Sequence, residues 1–328
     1  MLSPVDQRPL QTYFEAITPT KYPMLAKLTE LWKQSGWTYK FYDDKDAGDF
    51  IDMHFPAEVR EAFDALVPGA LKADLFRYCV LLIQGGLYAD VDILLETNLD
   101  ELLFDDIGFM VPLDSPGGRH QYCVWNGFLA STPGHPFIAK AIEMVVNNVR
   151  NRFTVVDVDD MLCPNPDMQV TQLNNAILLT GPCALGAAMN AVLGRPLQSS
   201  FRYGNLTVDS DAGGDDIPGR SVVLKQNKSD LGCHRFMWVE RNVIVAATDL
   251  PSAAADVSND THYSHYDFTG LHRSSDVYRD WIKANEVIKI QVSSANRGNQ
   301  RSTDNDKGSP EELVQQSEAR RVNAILLG

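Results

Sequence analysis

Residues Ala70 to Asp100 read ALKADLFRYCVLLIQGGLYADVDILLETNLD, and the rest of the chain is organised around them. Leu71, Leu75, Tyr78 and Leu82 recur at spacings of four, three and four, which predicts a buried helix. Asp74 and Arg77 lie three apart, so on that helix they share a flank and can act together. Gly85 and Gly86 stop the helix, because glycine enters the left-handed conformation without a Cβ clash. Beyond them Leu87, Ala89, Val91 and Ile93 alternate with Tyr88, Asp90 and Asp92. An extended chain there would put the apolar set on one side and the tyrosine with both carboxylates on the other. Two carboxylates one residue apart make a hard oxygen site suited to a divalent cation.

Outward from this stretch, helices alternate with strands. Pro23 opens a helix carrying Leu25, Leu28, Leu31 and Trp32 that ends near Gly36. WTYKFY, residues 37–42, reads as a strand. Residues 43–49 read as an acidic turn, and 50–66 as helix broken near Pro56. Strands are expected at 107–112 and 122–130, a turn-rich loop at 113–121, and an amphipathic helix at 137–150. Further helices are expected at 170–179 and 184–193, and strands at 222–224 and 243–247. From about Glu286 the composition turns polar and charged, the signature of disorder. This implies one catalytic-size α/β domain over 1–285 and a polar tail with a short terminal helix over 286–328.

The 328 residues carry 43 acidic against 29 basic side chains, a net charge of −14. That balance excludes a nucleic-acid surface, which needs a basic face to neutralise phosphates. Hydrophobic content of 44% is ordinary for a globular protein. No apolar run reaches the roughly 20 residues of a membrane span, and the opening MLSPVDQRPL shows no signal-peptide pattern. Cys79, Cys123, Cys163, Cys183 and Cys233 form no C-x-x-C pair; the odd count gives no framework, and one or two bridges stay open. Cys79 reads as a small core hydrophobe. Asn205, Asn227 and Asn259 begin glycosylation sequons, which would suit a secretory lumen.

A D-x-D by itself says little in so acidic a chain, since Asp44/Asp46, Asp157/Asp159, Asp209/Asp211 and Asp304/Asp306 repeat it. Asp90/Asp92 differs in context: it follows an apolar helix and a Gly-Gly break within an apolar strand, where unpaired carboxylates are costly. Taken on spacing alone, Asp74 and Arg77 read as an ion pair inside one helix, and Tyr88 as sheet packing.

Lys72-Ala-Asp-Leu-Phe-Arg-Tyr followed by Gly85-Gly-Leu-Tyr-Ala-Asp-Val-Asp resembles the D-x-D region of the family 32 glycosyltransferases, a group of α-mannosyltransferases and related sugar transferases. The clostridial glucosylating toxins carry a similar region. Phe41-Tyr-Asp-Asp before it, Asn98-Leu-Asp-Glu-Leu-Leu after it, and Asn126-Gly-Phe with Gly134-His-Pro-Phe further on extend the likeness over roughly residues 37–185. The resemblance implies a GT-A type nucleotide-sugar-binding fold, a mostly parallel sheet flanked by helices. It implies Asp90 and Asp92 as ligands of Mn²⁺ or Mg²⁺, and Asp74, Arg77, Tyr88 and Asp90 as donor-binding residues. Asn126 and Gly127 are expected on the acceptor side, and His135 as a helix cap. A retaining, same-face displacement is implied, with no protein nucleophile assigned. The donor would be GDP-mannose or a UDP-hexose and the acceptor a glycan or glycolipid. The location would be the Golgi or secretory lumen if an anchor is missing from this chain, otherwise the cytoplasm.

Two places depart from that family. Its members open with a strand like I-P-K-I-I-H-Q-x-W that helps bind the donor base, whereas QRPLQTYFEAITPTKYP carries no such strand by its pattern. A late His followed by Gly-Ser-Trp is replaced by Thr261-His-Tyr-Ser-His, which makes His265 the candidate third metal ligand and His262 the second choice. Two alternatives follow: a non-catalytic nucleotide-sugar or glycan-binding protein that has lost its first strand, and a metal-dependent nucleotide-sugar hydrolase.

Overall fold

The computed structural model describes residues 8–66, 69–102, 106–114, 121–151, 153–156, 161–164, 177–206, 217–228 and 234–248. The expected tail, His262, His265 and most of the expected 170–179 helix lie outside these residues. The N-terminal elements are β1 (Pro9–Thr12), α1 (Pro23–Lys33), β2 (Lys40–Tyr42), α2 (Asp44–His54), α3 (Ala57–Ala65), α4 (Gly69–Gln84) and β3 (Gly86–Ala89). Then come β4 (Leu94–Leu95), α5 (Leu99–Leu102), β5 (Ile107–Pro112), β6 (Phe128–Ser131), α6 (Pro136–Arg150) and the hairpin β7 (Phe153–Val156) with β8 (Met161–Pro164). The last are α7 (Pro182–Val192), β9 (Gly204–Asn205), β10 (Arg220–Lys228), β11 (His234–Trp238) and β12 (Val243–Thr248).

One sheet runs β2-β1-β3-β6-β5-β10-β11-β12-β4, with β9 beside β10. β1 pairs in parallel with both β2 and β3, and β5 in parallel with β10. β6 alone is reversed between β3 and β5, so β2, β1, β3, β5 and β10 share one direction. This is the expected α/β sheet, largely parallel through its centre.

The pleat divides the core in two. Tyr88, Leu129, Phe109, Val111 and Val223 point to one face, where they pack with side chains of α2, α3, α4, α6 and α7. Their neighbours Leu87, Ala89, Phe128, Ala130, Met110, Val222 and Leu224 pack on the other face with Trp32 of α1, Leu99 and Leu102 of α5, and the curled strands β11 and β12. Strands covered on both faces read as continuous apolar runs rather than alternating ones. α4 is buried on most sides, with ten consecutive-turn residues from Leu71 to Leu82 out of water, so it is a central helix rather than a surface helix with one stripe.

Four expectations are corrected. The N-terminal segment does supply a strand: β1, all four residues buried, sits between β2 and β3. Its two polar side chains hid it, and both are satisfied, Thr12 Oγ1 donating to Tyr42 O at 2.9 Å and Gln11 Nε2 to Asp90 O at 3.1 Å. Residues 43–49 are not a turn but the start of α2, because Asp43 accepts from Asp46 N at 2.8 Å as an N-cap. The expected strand at 122–130 shortens to Phe128–Ser131. The extended run after Gly86 ends at Ala89, and residues 91–92 form a turn closed by Ile93 N donating to Asp90 O at 3.1 Å.

Cys123 and Cys183 form a disulfide at a sequence separation of 60, and Cys79 is free and buried. In the chain-entropy account, closing a loop of that length is worth about 4 kcal/mol.

His135 caps α6 as expected: its Nδ1 accepts from Phe137 N at 3.2 Å. That leaves the proton on Nε2, which is buried without a hydrogen-bond partner, between the rings of Phe109 and Phe137. Burial pushes the imidazole down to about 3. The unfolded chain therefore binds a proton near pH 6.5 that the folded chain refuses until about pH 3. Stability is full above the unfolded value and falls with pH through that window, by a few kcal/mol in all. His135→Asn, which keeps a capping oxygen, is expected to flatten the decline of melting temperature between pH 6.5 and 4. An unchanged slope would show that other groups set the acid limit.

Candidate active site

The site lies where β3 ends, at the carboxyl edge of the parallel strands, the edge at which open α/β sheets bind ligands. Gly85, at φ 65°, turns the chain from α4 into β3 against Pro133, whose Cδ would lie 2.6 Å from an added Cβ. α4 and β3 are thereby held side by side, and their functional residues converge.

Arg77 is the hub. Its side chain is 5% exposed, and Nη2 lies 3.1 Å from Asp74 Oδ1 and 3.3 Å from Asp90 Oδ1. Nη1 donates to Asn126 O at 2.8 Å and Nε to Ala73 O at 3.1 Å. The guanidinium also sits 4.5 Å over the Tyr88 ring. Burial alone would lower its pKa; the Asp90 and Asp74 carboxylates beside it more than reverse that, so it stays a cation.

Asp74 is 1% exposed and is gripped at both oxygens. Asn126 Nδ2 donates to Oδ1 at 2.9 Å and Thr180 Oγ1 to Oδ2 at 2.8 Å. Burial raises its carboxyl to about 6, against the opposing pull of Arg77 and Thr180. Tyr78 completes the ring: its hydroxyl accepts from Asn126 Nδ2 at 2.7 Å and donates to Thr180 O at 3.0 Å.

Asp90 is the more open member, its side chain 32% exposed. Tyr88 Oη donates to Oδ1 at 2.9 Å, and burial holds the Tyr88 phenol well above its ordinary range, so it keeps that proton. The backbone is fixed from three sides: Asp90 N donates to Gly127 O at 2.8 Å, Gln11 holds Asp90 O, and Trp32 Nε1 donates to Ile93 O at 2.9 Å. Tyr39 Oη in turn donates to Gln11 Oε1 at 3.0 Å. Asp92 is half-buried in the turn that follows.

Asp74, Arg77, Tyr88, Asp90, Asn126 and Gly127 are thus brought into one cluster with Asp92 beside it. Asn126, expected on the acceptor side, is 2% exposed with its amide engaged by Asp74 and Tyr78. Gly127 abuts the acid: an added Cβ would lie 2.4 Å from Asp90 Oδ2 and 2.6 Å from the Trp125 ring. Gly127→Ala is therefore expected to displace Asp90 and to cut any activity of the site by about 10²-fold, read as initial rate beside a melting curve. An activity within twofold would show that the close approach has no role. Gln11, Tyr78 and Thr180 were missed: Gln11 sits in an unrecognised strand, and Thr180 comes from a segment without any local signal.

Residues 20–108 match the glycosyltransferase sugar-binding region containing DXD motif. The chain is 26% identical over 161 residues to the initiation-specific alpha-1,6-mannosyltransferase of Candida albicans, covering 42% of this chain and 41% of that protein. It is 30% identical over 119 residues to an uncharacterized glycosyltransferase of Acanthamoeba polyphaga mimivirus, covering 35% of this chain and 46% of that one. It is 29% identical over 110 residues to inositol phosphoceramide mannosyltransferase 1 of Schizosaccharomyces pombe, covering 34% and 32%. The chain thus spans less than half the length of these relatives. The solved PaToxG glycosyltransferase aligns at a TM-score of 0.34 and 16% identity, over 58% of this chain and 70% of its own. The matched stretch contains Asp74, Arg77, Tyr88, Asp90 and Asp92, whereas β1, Asn126, Gly127 and Thr180 lie outside it.

Proposed function

We propose that this chain is a retaining, metal-dependent glycosyltransferase of GT-A type. It would move a hexose, mannose first among the candidates, from a nucleotide-sugar donor to a glycan or glycolipid acceptor. The observation that carries the reading is the Arg77 bridge: one buried guanidinium ties the helix carboxylate Asp74 to the first D-x-D carboxylate, Asp90, at the ligand-binding edge of the sheet. Mannose is favoured because relatives named for mannose transfer, an initiation-specific alpha-1,6-mannosyltransferase and an inositol phosphoceramide mannosyltransferase, are among the proteins this chain resembles. The non-catalytic alternative rested on an absent first strand, and β1 removes that ground. Tyr13 and Phe14 directly follow β1 at the same edge, with ring centroids 4.6 Å apart, and offer aromatic surface for the donor base.

The donor set suits Mn²⁺ or Mg²⁺. Asp90 Oδ1 is engaged by Arg77 and Tyr88, and Asp90 Oδ2 with the Asp92 carboxylate would supply the hard oxygens. Among the described residues no three His, Cys, Asp or Glu side chains form a closed metal cage. That suits a cation held by one or two carboxylates and completed by substrate phosphates, with His265 proposed as a further ligand. A cation held there would supply positive charge to offset that of the departing nucleoside diphosphate. Asp74 and Arg77 would orient the donor sugar, and Tyr88 would fix the Asp90 carboxylate and contact the nucleotide. The bond from the anomeric carbon to the diphosphate would break, the acceptor oxygen would bond on the same face through an oxocarbenium-like state, and the acceptor hydroxyl's proton would pass to the departing diphosphate.

Calorimetry with GDP-mannose and UDP-glucose, each with and without Mn²⁺, tests the reading. One donor is expected to bind only with the metal and to yield a glycosylated product with an added glycan. Failure of both donors to bind, with or without Mn²⁺, would overturn it; release of free sugar that no acceptor diverts would mark a hydrolase.

A further inference from the structure

The two grips on Asp74 come from segments far apart in sequence. Asn126 precedes β6 and Thr180 precedes α7, yet they hold the two oxygens of one carboxylate. Cys123, three residues before Asn126, is joined by the disulfide to Cys183, three residues after Thr180. Between the joined positions Val124 N donates to Pro182 O at 3.1 Å. One turn into α7, Gly186 lies against Tyr122 O so closely that a Cβ there would stand 1.9 Å away. Both sulfurs are buried with Tyr122 and Leu178 in a small apolar cluster. Tyr78 hydrogen-bonds to both segments, so the ring of contacts around Asp74 closes only when they lie side by side.

We propose that the Cys123–Cys183 cross-link is a positioning device for the donor-sugar end of the site. It locks Asn126 and Thr180 together around Asp74, and its removal selectively weakens binding of the nucleotide sugar over that of the nucleoside diphosphate. Asp90 is held in addition by Tyr88 and by Gln11, from segments remote from Cys123 and Cys183, so the diphosphate end depends less on the cross-link than the Asp74 end does. The inference rests on the donor-site reading above and adds to it a covalent bond outside the sugar-binding region.

The test has two arms and uses the full chain, with Cys123→Ala/Cys183→Ala as the variant, because alanine suits the apolar pocket. The first arm needs no ligand. Thr180→Val is introduced with and without the cross-link, and folding constants are read from denaturant unfolding. The expected cost is about tenfold in the cross-linked chain and under about threefold without it, the coupling of two parts of one device. Equal costs in the two backgrounds overturn the proposal. The second arm compares GDP-mannose with GDP, and UDP-glucose with UDP, all with Mn²⁺. The alanine pair is expected to bind the nucleotide sugar about tenfold more weakly and the diphosphate within about twofold. Parallel losses, or no loss, overturn the selective role. If the cross-linked chain binds no nucleotide sugar, the donor-site reading fails and the selective role with it, while the first arm still decides the lock. Where the alanine pair does not accumulate folded, phosphine reduction of the folded wild-type chain gives the same comparisons.

Discussion

Asp92→Ala is expected to lower Mn²⁺-dependent sugar transfer by at least about 10³-fold while the chain stays folded. A carboxylate that holds a cation against a departing diphosphate acts mainly in the transition state, and several kcal/mol there is a thousandfold in rate. Asp92 is the D-x-D carboxylate to probe because it lies half-buried on a turn and its removal leaves the Asp74–Arg77–Asp90 contacts in place. Asp90 is a poor one, since its removal would also take a partner from Arg77 and from Tyr88. Initial rates across a Mn²⁺ series, beside a melting curve, make the measurement. A rate within tenfold of wild type at every Mn²⁺ concentration would remove Asp92 from the metal site.

Arg77→Met should act on the fold itself, by about 3–5 kcal/mol. Methionine fills much of the volume, so the loss is electrical. Asp74 would keep Asn126 and Thr180 but lose the guanidinium 3.1 Å from its Oδ1 while 1% exposed. The carboxyl stands near 6 even beside the arginine and rises further without it. A carboxyl raised above its unfolded value favours the fold below that value and loses the contribution as pH climbs through the folded one. The gap between variant and wild type should therefore widen from pH 5 to pH 8. Adding Asp74→Asn should narrow it at pH 8, since a neutral amide needs no cation. A gap independent of pH would mean that the arginine matters for packing rather than charge.

The legible parts of this fold are those written in local pattern. The Leu71–Leu82 periodicity and the Gly85–Gly86 break place α4 and β3, and spacing alone puts Asp74 beside Arg77. The side-by-side placing of Tyr88 and Asp90 also follows from period two, and the 2.9 Å hydrogen bond between them bears it out. What stayed hidden is polar and distant. β1 is a strand whose buried Gln11 and Thr12 disguise it, because their partners, Asp90 O and Tyr42 O, come from other strands. Asp43 looked like one more acid in a turn until its capping of α2 was seen. Thr180 reaches Asp74 across 106 positions, and nothing in its neighbourhood announces that. Spacing read Asp74 and Arg77 as a pair; the third member, Asp90, needed the fold.

Strand β4 follows the Asp90–Asp92 turn almost at once, yet its partner is β12, where Leu94 lies opposite Ala247. The far side of the turn is therefore pinned by a strand made after nearly all the other described elements. A nascent chain carries the whole motif soon after residue 100 emerges, but the β4 anchor forms only once β12 exists, and such distant pairings are slow to close. Until then the far side of the turn has the Trp32 bond to Ile93 O but not its β4–β12 pairing. Fragments ending before β12 should thus carry every motif residue without the β4–β12 support of the turn.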